Sequence, residues 1–147
     1  MRLALLCAAS LLVACAAEDA DDAAMDTTTM APALSAADIE GIWNFQTRPM
    51  DADTVIVTGQ FTASNGAYHM VLAGREPQPT NVTVAGDSIM LVSGEYPSAL
   101  RPGQMVSTTG VYRLVDGRMV GTVTARYPGV TTADSVVLLR VEMTRAQ

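Results

Sequence analysis

Turn residues constrain this chain more tightly than any other feature. Asn65-Gly66, Gly86-Asp87 and Asp116-Gly117 each separate two runs of alternating apolar and polar residues. Asn, Asp and Gly tolerate the positive φ that a two-residue hairpin turn demands, so each pair marks a tight β-hairpin. Every proline after residue 38 falls in the other, longer connections: Pro49, Pro77 and Pro79, Pro97 and Pro102, and Pro128. The intervening runs are rich in Val, Thr and Tyr with period two. They predict eight strands, over about 41–48, 54–63, 67–73, 80–85, 88–95, 104–115, 118–127 and 135–145.

Pairing each hairpin about its turn tests the reading. About Asp116-Gly117, Leu114 faces Met119, Tyr112 faces Gly121 and Gly110 faces Val123. The opposite side collects Arg113, Arg118, Thr122, Thr124 and Arg126. Phe61 likewise faces Met70 and Gly59 faces Leu72, with Thr62 and His69 outside, while Val84 faces Ile89 and Val82 faces Leu91. One buried face therefore runs through all the strands. Alternate connections of a meander fall at opposite ends, so tight turns shut one end and proline-bearing loops frame the other. Closing eight strands into an up-and-down antiparallel barrel removes the exposed edges. Arginine on the outer face points to a soluble barrel, since a membrane barrel turns apolar residues outward.

A different logic governs the first 38 residues. Met1 and Arg2 precede a run of about a dozen apolar or small residues, too short for a spanning helix of roughly twenty. A charged start, a short apolar run and small residues before a cut describe a secretory signal peptide over residues 1–14. Its ending, Leu12-Val13-Ala14-Cys15, resembles the lipobox of bacterial lipoproteins. That resemblance implies cleavage before Cys15 and diacylglyceryl transfer to its thiol. Cys7 would leave with the peptide, so the mature chain would hold no internal disulfide. Residues 15–38 read as the lipidated cysteine and a flexible tether, with six acids and no base between Ala16 and Asp38. From Ile39 onward nine acids meet eight arginines, so residues 39–147 form a nearly neutral barrel domain. Ala16 directly after the cysteine implies, by resemblance to enterobacterial sorting rules, the outer membrane facing the periplasm.

The barrel's first strand opens on Ile39-Glu40-Gly41-Ile42-Trp43. This resembles the Gly-x-Trp opening of lipocalins and their calycin relatives. The resemblance implies that Trp43 plugs the closed end and that an arginine late in the last strand covers its ring, through a cation–π contact. Arg145 has the required inward phase, shared with Val137, Leu139, Val141 and Met143, whereas Arg140 does not.

Chemistry of other kinds finds little support. His69 is the only histidine, which leaves no catalytic triad or zinc cluster. No enzyme activity, metal or cofactor is expected, and the lack of a basic patch interleaved with aromatics argues against nucleic acid. Asp51, Asp53 and Arg48 share one open-end loop and read as solvated charges. The leading expectation is a membrane-anchored envelope lipoprotein whose barrel binds a small, largely apolar molecule. Small inward residues (Gly59, Ser93, Thr108, Gly110, Gly121 and Ala125) would leave a cavity lined by Phe45, Val57, Leu72, Val106, Tyr127 and Leu139. The alternative is an interaction protein, such as a periplasmic protease inhibitor or an envelope-assembly accessory, with a filled barrel and a protein partner. Cavity or filled core separates the two.

Overall fold

Each of the three turn dipeptides adopts the backbone its residues favour. Asn65 and Gly66 have φ of 51° and 77°, Asp116 and Gly117 have 49° and 74°, and Gly86 has 61°. The computed structural model describes residues 33–147. The expected signal peptide, Cys15 and most of the expected tether lie outside these residues.

The strands are β1 (Gly41–Pro49), β2 (Val57–Ser64), β3 (Ala67–Leu72), β4 (Gln78–Ala85), β5 (Ser88–Pro97), β6 (Met105–Val115), β7 (Arg118–Arg126) and β8 (Val136–Arg145). All neighbours are antiparallel, and β8 returns to β1, closing an eight-stranded up-and-down barrel. The register about each tight turn matches the pairing expected from the sequence. Leu114 faces Met119 and Tyr112 faces Gly121. Phe61 faces Met70, and Val84 faces Ile89. A one-residue slip would turn every buried side chain outward, so burial of one face fixes the register. The outer arginines Arg113 and Arg118 pair with Asp87 and Glu142.

Two irregularities shape the barrel. β3 and β4 share only the pairs His69–Pro79 and Met70–Gln78, a short seam where Pro79 has no amide proton to donate. In β5, Gly94 and Glu95 together oppose Ser107 of β6, making a bulge between Ser93 and Tyr96. The strand thereby changes phase, so Ser93 and Tyr96 both point inward although three residues apart, and Glu95 is exposed.

The segment before β1 departs from the tether reading. Leu34 donates its amide to the Gly86 carbonyl at 2.9 Å and packs against the core. A 3₁₀ turn follows over Ala36–Ile39, and Ile39 is fully buried. Two apolar side chains on an otherwise small-residue stretch suffice to draw it onto the barrel's end.

Candidate functional site

The closed end is organised around Trp43. Its ring is fully buried, and its indole N–H donates to the Ile39 carbonyl at 2.8 Å. Arg145, cross-strand from Trp43, places its guanidinium carbon 4.3 Å from the ring centroid. The same guanidinium donates to the carbonyls of Glu40 and of Asp38, the latter at 2.7 Å. Thus one arginine covers the aromatic ring and also satisfies carbonyls at the end of the 3₁₀ turn. Gly41 carries φ of +117°, a conformation that L side chains resist. That fold into the strand explains the glycine of the Gly-x-Trp sequence.

Above this plug, the glycines do not leave the space that their size suggests. A Cβ on Gly59 would fall 2.6 Å from Cζ of Phe45, and one on Gly110 would fall 2.4 Å from the Tyr112 hydroxyl. A Cβ on Gly121 would come within 2.8 Å of the Tyr112 backbone and 2.9 Å of its ring. Two aromatic rings therefore occupy the room freed by three glycines. This corrects the expectation that Gly59, Gly110 and Gly121 open a cavity: they seat Phe45 and Tyr112.

A cavity of about 80 Å³ remains between those rings and the open end. Phe45, Val57, Leu72, Val106, Tyr127 and Leu139, the residues singled out in the sequence, all line it. Ser93, Thr108 and Ala125 supply its smaller wall positions. Engineered apolar cavities of about 150 Å³ take up benzene, so this space suits a few heavy atoms or the end of a slender molecule. No charged side chain lines it.

The β5–β6 connection, residues 98–104, covers the mouth, with Ala99 and Leu100 facing the cavity. Ser98 is buried; its hydroxyl accepts the amides of Leu100 and Arg101 and lies 3.2 Å from the Tyr127 hydroxyl. Arg101 stacks 4.1 Å above the Tyr127 ring and donates to the Asp134 carbonyl at 2.9 Å. From the β3–β4 loop, Arg75 donates to the carbonyls of Pro97 and Ser98. Two arginines thus fasten the loop to its neighbours on both sides. Asp53, in the β1–β2 loop, pairs with Arg140 at 2.9 Å, which holds its carboxyl below the usual range.

Sequence reasoning missed Tyr96 as a wall residue, because the bulge at Gly94-Glu95 reverses the phase. A glycine followed by a charge at an inward position was the available signal. The lid character of 98–104 had no local signature, since it depends on contacts with Arg75 and Asp134, 23 and 33 residues away.

Among the described residues, no group of three or more His, Cys, Asp or Glu is placed to hold a metal. The fold and cavity define an eight-stranded antiparallel barrel with an apolar interior and a loop-covered mouth. Comparison with protein families, with curated proteins and with solved structures finds no match.

Proposed function

We propose that this chain is an envelope lipoprotein, anchored through Cys15, whose barrel holds a small, largely apolar molecule or the end of a slender one. The observation that carries the binding reading is the uncharged, mostly apolar cavity beneath the 98–104 loop. Such a concave apolar space with a few polar groups is the usual form of a small-molecule site. The Gly-x-Trp opening and the Arg145 contact support kinship with the lipocalin and calycin barrels. The Leu-Val-Ala-Cys sequence supports the anchor, and by the sorting resemblance the outer membrane.

A second reading rests on a separate observation. Met50, Val55 and Ile56 are exposed on the β1–β2 connection at the open end, and Met105 is exposed at the start of β6. Apolar side chains on loops suit a protein partner, as for an inhibitor or an assembly accessory.

Xenon and cyclopentane, titrated into protein labelled at the methionine methyls, separate the two. Met70 and Met143 line the cavity and should shift on binding. Ala125→Phe, which places a ring in the cavity, should abolish those shifts. Failure of the unmodified protein to take up either probe removes the binding reading and leaves the protein-partner reading in front.

A further inference from the structure

Among the hydroxyls on the cavity wall, most are already engaged. Thr80 and Ser93 lie 2.9 Å apart, Tyr96 donates to Thr108 at 3.4 Å, and Ser98 meets Tyr127 at 3.2 Å. Tyr112 differs. It is 4% exposed, yet its hydroxyl makes no hydrogen bond to any described residue. No fully enclosed side-chain nitrogen or oxygen among the described residues lacks a partner, so this hydroxyl keeps a little open surface. Tyr112 borders the cavity, and its hydroxyl stands over Gly110, two residues nearer the open end than its own Cα. The open surface therefore belongs to the cavity.

A buried phenol without a partner forfeits the free energy of a hydrogen bond that water would have given it. The chain has also made room for the arrangement, because any side chain at Gly110 would strike the hydroxyl. Burial drives the phenol's pKa upward, so it remains a neutral donor across the physiological range. Thr47 offers a second wall hydroxyl in the same cross-strand row, through Val141 and Gly121. It sits close to its own strand, whereas the tyrosine ring carries its oxygen into the interior.

We infer that the cavity selects an uncharged, largely apolar molecule carrying one hydrogen-bond acceptor, such as a ketone, aldehyde or ester carbonyl, received by the Tyr112 hydroxyl. The inference rests on the binding reading above. A carboxylate is disfavoured, because the nearby guanidiniums of Arg75 and Arg101 are committed to the loop backbone and Tyr127, and an ion left unpaired in an apolar site loses its hydration.

The test compares cyclopentanone, its hydrocarbon isostere methylenecyclopentane, and butyrate, each titrated into the full-length chain with methionine-methyl detection. The ketone should bind about tenfold more tightly than the hydrocarbon, the worth of one good hydrogen bond. Tyr112→Phe should erase that preference, bringing the ketone's affinity down to that of the hydrocarbon in the same variant. In the unmodified protein, the ring-carbon resonance of Tyr112 bearing the hydroxyl should move with the ketone and not with the hydrocarbon, a readout independent of the variant. Butyrate should not bind at neutral pH. Equal affinities would mean that water serves the hydroxyl, and would overturn the inference while leaving the binding reading intact. A preference that survives Tyr112→Phe would move the donor elsewhere, and butyrate binding would overturn the neutral-ligand rule. If neither neutral probe binds, the binding reading itself falls, and the inference with it.

Discussion

Arg145 lies over Trp43 at 4.3 Å from guanidinium carbon to ring centroid, and it reaches past the ring to the carbonyls of Asp38 and Glu40. The pair therefore joins the last strand, the first strand and the 3₁₀ turn in one contact. Replacing Trp43 by Ala should destabilise the barrel by about 3–5 kcal/mol, the range for a buried large aromatic. Arg145→Ala should cost about 1 kcal/mol, since the residue as a whole is exposed. A double-mutant cycle by denaturant unfolding should show coupling between them. Strict additivity would mean that the ring contact contributes nothing.

The glycines beneath the aromatic rings should be intolerant of a methyl group. A Cβ on Gly59 would lie 2.3 Å from the Val71 carbonyl oxygen, and one on Gly121 would lie 2.0 Å from that of Val111. Gly59→Ala and Gly121→Ala should each lower stability by about 1–3 kcal/mol through overpacking. Gly94→Ala is the control, for its Cβ would meet nothing within 4 Å. Thermal unfolding of the three variants side by side checks the contrast.

The segment leading into β1 should respond to acid. The Asp38 carboxylate accepts hydrogen bonds from the Ser35 hydroxyl at 2.7 Å and the Ser35 amide at 2.8 Å. These bonds, with a smaller contribution from Arg145, hold its pKa below the ordinary 3.8. A lowered carboxyl pKa adds stability at pH above about 4 and loses it as pH falls through the folded value. The Ser35 amide resonance should therefore titrate below pH 4, together with loosening of the turn, and Asp38→Asn should remove that transition.

Loosening the mouth should change kinetics more than affinity. Arg101→Ala removes both the stacking on Tyr127 and the bond to the Asp134 carbonyl, while Arg101 itself does not line the cavity. Cyclopentane should enter and leave several-fold faster in this variant, with its dissociation constant changed little. Line-shape analysis of the Met70 methyl reads both quantities. Unchanged exchange rates would mean that entry bypasses the 98–104 loop.

The anchor is tested through Cys15. Cys15→Ser should leave the chain unlipidated and either unprocessed or free of the membrane, as read by intact mass and fractionation. A variant that stays membrane-bound at its wild-type mature mass would remove the lipoprotein proposal.

The local chemistry of three turns, and the period-two burial between them, were enough to determine strand number and order and the register of the three hairpins that those turns close. Asn65-Gly66, Gly86-Asp87 and Asp116-Gly117 admit few backbones, and each such turn dictates which residues oppose one another on either side. The Trp43–Arg145 contact was also legible, because the resemblance of the Gly-x-Trp opening to lipocalins implies such a pair and strand phase selects Arg145 over Arg140. What only the tertiary structure decided is how the interior is filled. Counting small residues cannot reveal that Phe45 lies over Gly59, or that Tyr112 lies over Gly110 and Gly121, because rotamers are chosen by neighbours on other strands. Nor can an alternating pattern anticipate the bulge at Gly94-Glu95 that turns Tyr96 inward. The same holds for the fastening of the 98–104 loop, which joins residues far apart in sequence. Turns are encoded by adjacent residues acting on their own backbone, whereas a cavity is what remains after side chains from all eight strands have competed for one volume.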